Sequence, residues 1–326
     1  MNNTHKSVNQ LLVSVIVITY NNSNHIIETL DSIRSQTYHN IELIVTDDCS
    51  KDNTVENSKI WIKMNRDRFY DVKHIIVNKN TGIATNCNRG LNAANGEWIK
   101  IIAGDDTLTV DAIESFISFI CIRNDNENYF IHSSMNYYSN EIRDHFLIHT
   151  DDRSKSIFNH KNINSSQQFK LLLRGVNIGA PSTFYKKSML VDVGGFDEAM
   201  PFEDWPIYLK LALKGYKALY LPKTTANYRL TDSSFYNNKF REKFIFNPFF
   251  IHEYLVFEKY TKHHLPKIER NIYEIEYRIK FLFSRLGLNK INFFNRTIYF
   301  PFNLFFNLYR KFVNYQLKKK ITKEIN

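Results

Sequence analysis

Residues 98–108 read Trp-Ile-Lys-Ile-Ile-Ala-Gly-Asp-Asp-Thr-Leu, and this stretch decides the fold. Its first half is mostly apolar and rich in β-branched Ile, which predicts a buried strand. The strand ends at Gly104 and is followed by two adjacent carboxylates, Asp105 and Asp106. Ligands of open α/β sheets bind beyond the carboxyl ends of the strands, so the pair is a candidate for holding a hard divalent cation. An Asp-Asp turn that caps a helix starting near Thr109 is a second interpretation, and the pair alone leaves both open.

Strands and helices alternate on both sides of this stretch. That alternation predicts an α/β fold with a Rossmann-like, mostly parallel sheet flanked by helices. Residues 139–165 are polar without a clear period and are predicted to form a loop region. The other predicted strands are residues 13–19, 41–46, 72–77, 129–138, 182–185, 216–221 and 226–230, and the main predicted helices follow Asn24, cover residues 54–66 and 84–95, follow Val110, and run from Asp204 to Gly215.

Charge and composition divide the chain of 326 residues into two parts. Residues 236–326 hold 18 Lys and Arg against seven Asp and Glu, so they account for the whole formal net charge of +10. Gly becomes scarce beyond about Asp232, and Phe, Tyr, Lys, Arg and Asn dominate. We therefore predict an α/β domain over residues 1–235 and a helical, basic and aromatic extension over residues 236–326.

The sequence also bears on the cellular compartment. Three widely spaced cysteines form no Cys-x-x-Cys pair, so neither a disulfide framework nor a zinc site is expected. The apolar run at residues 11–19 leads into Tyr20 without a small-residue cleavage site, which favours a strand over a signal peptide. No stretch reaches the ~18 apolar residues needed to cross a bilayer. These features predict a cytoplasmic protein.

Candidate functional residues are acidic and lie in three places. The chain has no P-loop, no Gly-x-Gly-x-x-Gly motif and no Gly-x-Ser-x-Gly elbow. Asp47 and Asp48 follow one predicted strand, Asp105 and Asp106 follow another, and both pairs should face the same sheet edge. Glu203 and Asp204 open a helix, where Asp204 could act as a general base or as a simple N-cap; the two roles are compatible.

An ordered series of motifs resembles the family 2 glycosyltransferases with the GT-A fold, bacterial members of which build surface polysaccharides such as O-antigen and capsule. The resemblance covers residues 13–234. Its motifs are Val13-Ser14-Val15-Ile16-Val17-Ile18-Thr19-Tyr20-Asn21, Val45-Thr46-Asp47-Asp48-Cys49-Ser50-Lys51-Asp52, Gly82 with Asn88-Arg89-Gly90-Leu91, Asn95-Gly96-Glu97-Trp98-Ile99, Asp105-Asp106, Gly194-Gly195-Phe196-Asp197 and Phe202-Glu203-Asp204-Trp205.

The resemblance implies a single displacement with inversion at the anomeric carbon of a nucleotide sugar, with UDP as the expected nucleotide. Asp204 would be the catalytic base, and Mn²⁺ or Mg²⁺ would neutralise the leaving diphosphate. Asp106, with Asp105, would bind that metal. The other implied roles are nucleotide-sugar binding by Thr19, Tyr20, Asn21, Asp48, Arg89 and Asp105, and acceptor contact by Glu203 and Trp205.

Several positions depart from the family's pattern. Cys49 stands where Gly is frequent, and Cys87 where many members have Arg, so a phosphate or sugar contact is either missing or supplied by Arg89. Ala103 takes the place of a frequent first Asp of the metal motif. Tyr228-Arg229, followed by Ser233-Ser234, resembles a late segment that closes over the donor phosphates.

The C-terminal extension has the pattern of an interfacial helix. Pro301 suits a first helical turn. Basic residues opposite Phe and Tyr predict a helix on an anionic membrane, to which Lys318-Lys319-Lys320 would add attraction. Packing on the α/β domain or a homo-oligomer contact remain alternatives. A polyprenyl-diphosphate-linked acceptor at the inner leaflet is implied by the resemblance. The predicted apolar face is Ile298, Phe302, Phe305, Tyr309, Phe312 and Val313, and the predicted polar face is Asn303, Asn307, Arg310 and Asn314.

Two other classes of function compete with the enzyme. The basic, aromatic tail and a pI near 9.2 suggest nucleic-acid binding, but no recognition motif supports it and the acidic strand ends oppose it. A catalytically inactive relative that acts as a scaffold is disfavoured by the presence of Asp105, Asp106 and Asp204. We therefore expect no nucleic-acid partner.

Overall fold

The computed structural model describes residues 11–123, 128–143, 147–176, 178–230 and 243–326. Within these ranges nine strands join into one sheet, in the order β3-β2-β1-β4-β8-β6-β9-β5, with β7 paired to β6. The strands are β1 (Val13–Thr19), β2 (Ile41–Asp47), β3 (Asp71–Ile76), β4 (Trp98–Ala103), β5 (Thr107–Leu108), β6 (Tyr129–Ser139), β7 (Leu147–Asp151), β8 (Thr183–Lys186) and β9 (Lys217–Leu230).

Strands β1 to β4 form the parallel half of the sheet, and their carboxyl ends meet at one edge. Thr19 at the end of β1 lies opposite Asp47 at the end of β2, and Ile18 lies opposite Ala103 at the end of β4. All residues of β1 and β2 are buried, as expected for parallel strands covered on both faces. The loops that carry Asp48 and Asp105 are therefore neighbours.

The other half of the sheet is mixed. Strand β8 runs antiparallel to both β4 and β6, and β6 and β9 are parallel to each other. The short strand β5 pairs antiparallel with β9, so that Thr107 lies opposite Asn227. This pairing brings the end of β9 against the acidic pair that precedes β5.

Helices cover both faces of the sheet. Alternate side chains of β1 point into two cores: Val13, Val15 and Val17 pack with residues of α1 and α4, whereas Ile16 and Ile18 pack with residues of α3 and α7. The helices are α1 (Ile26–Arg34), α2 (Thr54–Asn65), α3 (Ile83–Ala93), α4 (Ala112–Arg123), α5 (Ser165–Leu172), α6 (Lys187–Asp192), α7 (Asp204–Leu213), α8 (Phe250–Val256), α9 (Lys267–Arg285) and α10 (Phe293–Ile325).

The predicted α/β architecture is confirmed, with three local corrections. The two strands predicted at residues 216–221 and 226–230 are one strand, β9 (Lys217–Leu230), because pairing with β6 continues through register shifts near Ser134. The predicted loop at residues 139–165 contains β7. The helix expected near Thr109 begins at Ala112 and β5 intervenes, so a cap by Asp105 and Asp106 is wrong. Ser233 and Ser234 lie outside the described residues.

The C-terminal extension packs on the α/β domain and shares one of its cores, to which Phe250, Tyr277 and Ile321 contribute. Polar contacts hold it at several points. Arg174 at the end of α5 pairs with Glu269 of α9 at 2.6 Å, and Lys259 pairs with Asp197 at 2.6 Å. The carbonyl of Ile325 accepts a hydrogen bond from Asn162. The extension is thus built into the structure.

Helix α10 differs from its prediction in two ways. Pro301 lies inside the helix, where it cannot donate to the carbonyl of Thr297, so its placement in a first turn is wrong. The predicted faces are also wrong, because Arg310 of the supposed polar face packs inward and pairs with Glu276 of α9 at 2.5 Å. In the described part of the chain, no helix combines the length and apolar composition that crossing a bilayer requires.

Candidate active site

The loops after β1 and β2 are held together by hydrogen bonds. Asn21 Oδ1 accepts from the backbone N–H of Lys51 at 2.8 Å, and the Asp47 carboxylate accepts from Thr19 Oγ1 at 2.7 Å. Between Thr19 and Asn21, the side chain of Tyr20 is 46% exposed. The three residues predicted to line a nucleotide pocket therefore belong to one hydrogen-bonded segment, in which Tyr20 is exposed.

Asp48 organises the next loop. Its two carboxylate oxygens accept from Thr81 Oγ1 at 2.6 Å, from the backbone N–H groups of Thr81 and Gly82 at 2.8 and 2.7 Å, and from Arg89 Nη2 at 3.1 Å. Burial alone would raise the pKa of Asp48, but these hydrogen bonds hold it below its usual value. Asp48 is an ionised residue whose contacts are all internal here, so its contact with a base or ribose stays a prediction.

Cys49 adopts a left-handed backbone conformation with φ of 70°, which glycine adopts more readily than any residue with a side chain. A side chain at such a φ costs free energy because Cβ approaches the following carbonyl.

We expect the Cys49→Gly variant to be about 1 kcal/mol more stable than Cys49→Ala. Both substitutions remove the thiol, but only glycine relieves the backbone strain. Urea unfolding of the two variants measures the difference. Equal stabilities would show that the loop relaxes around a side chain at this position.

The acidic pair follows β4 at the sheet edge. Gly104 permits the close approach, since a Cβ there would lie 2.9 Å from the Thr19 methyl group. Asp106 is buried, and its Oδ1 accepts from the backbone N–H of Arg229 at 2.9 Å. Burial, and then the neighbouring Asp105, raise the pKa of Asp106 well above its usual value, and burial also raises the pKa of Asp105.

Arg229 holds the acidic pair in place. Its side chain is buried, and Nε donates to the carbonyl of Asp105 at 2.8 Å while Nη2 pairs with Glu28 of α1 at 2.5 Å. The resemblance implies that the segment containing Tyr228 and Arg229 closes over the donor phosphates, and this stays a prediction. In the structure the Arg229 guanidinium contacts protein groups around Asp105 and Asp106.

The chemistry of the pair fits a divalent cation. Among the described residues, no group of three or more His, Cys, Asp or Glu side chains could hold a metal ion. Asp105 and Asp106 provide two carboxylates. Two carboxylates suit Mg²⁺ or Mn²⁺ when water and phosphate oxygens complete the coordination of the ion. The raised pKa values indicate that the two carboxylates are poorly solvated, a cost that a bound cation would relieve.

Glu203 and Asp204 lie at the start of α7. Glu203 occupies the N-cap position, and Asp204 is the first residue of the helix. The helix therefore begins one residue earlier than it would if Asp204 were the N-cap. Asp204 Oδ1 accepts from the backbone N–H of the adjacent Trp205 at 2.7 Å, and the side chain of Glu203, the N-cap residue, makes no cap hydrogen bond. N-capping by Asp204 is therefore wrong. Trp205 is anchored by its ring N–H, which donates to the carbonyl of Leu172.

The two carboxyl groups are electrostatically linked. Burial and the neighbouring Asp204 raise the pKa of Glu203 to about 8, and burial raises the pKa of Asp204. Such a pair releases its two protons in separate steps. A carboxylate whose pKa is raised is a stronger base than an exposed carboxylate.

One cavity of about 1080 Å³ brings two of the three acidic sites together. Asp105 and Asp106 line it, as do Glu203, Asp204 and Trp205. The other predicted site residues are not on its wall: Thr19, Tyr20, Asn21, Asp48 and Arg89. The lining residues that stand nearest to them in the chain are Ile18, directly before Thr19, and Ile83, which follows the Gly82 held by Asp48. The structure therefore does not place these five predicted site residues on the wall of the cavity.

Sequence reasoning missed residues of this cavity. Tyr208, one helical turn after Asp204, is fully buried, lines the cavity and stacks on Phe130 at 6.0 Å. The i, i+4 spacing from Asp204 on the predicted helix was the signal that could have identified it. The C-terminal extension also contributes to the wall, through Lys280 and Arg310.

Lys100 supports another part of the wall from behind. It is buried in β4, and its amine donates to the carbonyls of Pro181 and Thr183, two residues that line the cavity. Burial lowers the pKa of Lys100 to about 7, and the attraction of Asp106 only partly opposes this.

This pKa makes the contribution of Lys100 to stability depend on pH. Between pH about 7 and the ordinary lysine value of 10.5, the unfolded chain binds more protons than the folded one at this residue. The contribution of Lys100 to the free energy of unfolding must then rise with pH. We expect the difference in unfolding free energy between the wild type and Lys100→Met to increase over this range, as urea titrations would measure. A difference independent of pH would contradict the lowered pKa.

The fold and the acidic sheet edge define a class, the GT-A glycosyltransferases. The crystal structure of Staphylococcus aureus TarS 1–349 in complex with UDP-GlcNAc matches with a TM-score of 0.54, covering 69% of this chain and 60% of that chain at 21% identity. At this identity the likeness concerns the fold alone. The chain belongs to glycosyl transferase family 2, whose family model matches residues 14–193. The resemblance identified from the motifs is confirmed.

Two curated relatives extend the comparison. GlyA, a glycosyltransferase of Streptococcus pneumoniae serotype 4, is 29% identical over 229 residues, which are 68% of this chain. The matched region is 31% of GlyA, so the chain corresponds to about a third of that relative. WfaP of Escherichia coli, a UDP-Glc:α-D-GlcNAc-diphosphoundecaprenol β-1,3-glucosyltransferase, is 29% identical over 236 residues, covering 71% of this chain and 82% of WfaP.

Proposed function

We propose that this family 2 glycosyltransferase is an inverting, metal-dependent enzyme that moves a hexose from a UDP-sugar to a hydroxyl of a glycan acceptor. The observation that carries the proposal is the single cavity lined by both carboxylate pairs. A diphosphate at Asp105 and Asp106 leaves room in the same cavity for the sugar and for an acceptor beside Glu203 and Asp204.

Asp204 is the proposed catalytic base. It accepts the proton of the acceptor hydroxyl while that oxygen forms a bond to the anomeric carbon. The bond from the anomeric carbon to the diphosphate breaks, and its electron pair leaves with the nucleoside diphosphate. Attack from the side opposite the leaving group inverts the anomeric configuration. The raised pKa of Asp204 favours proton transfer, because a catalytic base works best with a pKa near the operating pH.

Asp106 and Asp105 are the residues that would hold Mn²⁺ or Mg²⁺. When bound, the cation supplies charge neutralisation for the leaving diphosphate. The chain contributes the positioning of these ligands: the backbone N–H of Arg229 binds Asp106 Oδ1, and the Arg229 side chain binds the carbonyl of Asp105. Arg229 thus holds the carboxylate of Asp106 and the backbone of Asp105.

The loops after β1 and β2 are the proposed nucleotide side. Tyr20 presents an exposed ring to the base, between Thr19 and Asn21. Asp48 and Arg89 would contact the base, ribose or phosphate after exchanging some of their present hydrogen bonds. UDP is proposed because WfaP uses UDP-Glc and TarS binds UDP-GlcNAc.

The acceptor is proposed to be a polyprenyl-diphosphate-linked oligosaccharide of O-antigen or capsule synthesis, by analogy with the diphosphoundecaprenol acceptor of WfaP. Glu203 and Trp205 would border its reacting hydroxyl. Tyr273, Tyr277 and Lys280 of α9 line the far part of the cavity, so the C-terminal extension would contact the rest of the glycan. Such an acceptor places the enzyme in the cytoplasm at the inner face of the membrane, with homo-oligomer formation as the alternative use of the extension.

Thermal-shift measurements with UDP-sugars, GDP-sugars and free nucleotides test the donor assignment, since a ligand of the folded state raises the melting temperature by mass action. We expect UDP-sugars to raise it in a concentration-dependent manner, and Mn²⁺ or Mg²⁺ to enhance the shift. A shift with GDP-sugars alone would mean that the nucleotide of the donor is GDP and not UDP. The absence of a shift with any nucleotide sugar, with or without metal, would contradict the proposed donor site.

A further inference from the structure

Helix α10 exposes large apolar side chains along most of its length. Ten such side chains are exposed, and Ile298 and Phe302 are the least exposed of them. We define the outer face by the other eight: Phe293 (89%), Phe294 (65%), Phe300 (62%), Leu304 (46%), Phe305 (54%), Leu308 (57%), Phe312 (60%) and Tyr315 (61%). Contiguous apolar patches of this kind are uncommon on soluble monomers and mark contact sites.

The spacing of these residues places them on one side of the helix. Phe300, Leu304, Leu308 and Phe312 recur every four residues, and Phe305 lies three residues before Leu308 on the same face. The opposite side carries the buried residues Asn295, Tyr299, Phe306 and Ile321, which pack on the rest of the protein. The outer face is therefore additional to the packing face of α10.

Charge tells which partner fits the outer face. Lys311, Lys318 and Lys319 project on the same side of the helix and are exposed, and Lys319 Nζ lies 6.0 Å from the ring centroid of Tyr315. Residues 277–323 include no Asp or Glu. Two copies joined through this face would bring like charges together without acidic partners, whereas an anionic lipid surface supplies the opposite charge.

We propose that the outer face of α10 binds an anionic phospholipid bilayer, with the helix lying along the surface and its Phe and Leu side chains inserted at the headgroup boundary. Thirty-three residues make α10 about 50 Å long. Its inward side carries Arg310, which lines the cavity between the two carboxylate pairs and the C-terminal extension. The far end of the cavity therefore lies one helix away from the lipid, and the benefit of this placement for a lipid-linked acceptor rests on the proposed function.

Vesicle co-sedimentation of the full chain tests this directly. Vesicles of phosphatidylcholine alone and of phosphatidylcholine with phosphatidylglycerol are the probes. We expect binding to the anionic vesicles and much weaker binding to the neutral ones. The triple variant Phe300→Ser, Leu304→Ser, Leu308→Ser is expected to bind anionic vesicles at least about tenfold more weakly. Charge reversal, Lys311→Glu, Lys318→Glu, Lys319→Glu, is expected to reduce that binding roughly a hundredfold.

A matched control separates this surface from general apolar exposure. Ile60, Met64 and Ile122 are 52%, 78% and 84% exposed on α2 and α4 of the α/β domain. Their triple replacement by Ser should leave vesicle binding unchanged. Because all the replaced side chains are exposed, circular dichroism and the melting temperature should show that each variant folds.

Two outcomes would overturn the inference. One is anionic vesicle binding by the Phe300, Leu304 and Leu308 variant that equals the control. The other is a wild-type dimer in light scattering that the same variant converts to a monomer, which would make the outer face a self-interface. The assay requires neither donor nor acceptor. Loss of the donor assignment with intact vesicle binding, or the reverse, would therefore show which of the two proposals fails.

Discussion

Asp204→Asn is expected to lower kcat for sugar transfer by about 10³-fold while leaving the affinity for the donor unchanged. The amide cannot accept the proton of the acceptor hydroxyl, but it retains an oxygen for the backbone N–H of Trp205, so the start of α7 should keep its geometry. Release of UDP from a UDP-sugar in the presence of acceptor measures the rate, and titration of the melting temperature measures donor binding.

Two variants serve as controls for Asp204. Glu253→Gln makes the same kind of change on another residue that lines the cavity, and it should retain the wild-type rate. Glu203→Gln should leave the acid limb of the pH–rate profile near its wild-type position, because burial, and not the charge of Glu203, raises the pKa of Asp204. If Asp204→Asn turned over at the wild-type rate, Asp204 would not be the catalytic base and another group would have to accept the proton.

Asp106→Asn is expected to weaken metal-dependent donor binding by about 100-fold or more, since loss of even an outer-shell partner of a metal ligand costs about 10–100-fold. The asparagine oxygen can still accept from the N–H of Arg229, and the variant removes a buried carboxyl with a strongly raised pKa. The melting temperature without ligand should therefore not fall. Donor titrations with and without Mn²⁺, monitored by thermal shift, separate the two effects.

The comparison with Asp106→Ala makes this test sharper. Alanine leaves the Arg229 N–H without its acceptor, so it should lose stability as well as donor binding. If Asp106→Asn binds the donor with the same metal dependence as the wild type, Asp106 is not a metal ligand. Asp105 would then be the remaining carboxylate of the pair.

Local patterns were enough to predict most of the sheet and the position of its acidic edge. The strand at residues 13–19 has the predicted bounds. The strand predicted at residues 41–46 ends one residue later, and the one predicted at residues 72–77 begins and ends one residue earlier. Apolar runs of this length are continuous because parallel strands are buried on both faces. Strand ends then determine which loops meet, which is how Asp48 and Asp105 could be placed at one edge.

The details of the site depend on contacts between residues distant in the chain. The sequence does not indicate that the Asp48 carboxylate accepts hydrogen bonds from Thr81, Gly82 and Arg89. These groups reach Asp48 only when α3 packs beside β2. It likewise does not indicate that Arg229 holds Asp106, because that contact requires β9 to pair with β5, more than a hundred residues earlier.

By itself, then, the sequence determined the α/β class, the family and the acidic residues at the strand ends, because each depends on residues close together in the chain. The tertiary structure decided which of those residues share a cavity and which side of α10 faces inward. That helix carries apolar residues all around its circumference, so its periodicity cannot distinguish the packing face from the exposed one. Only the position of Glu276 opposite Arg310, and of the core around Tyr299 and Phe306, made the distinction.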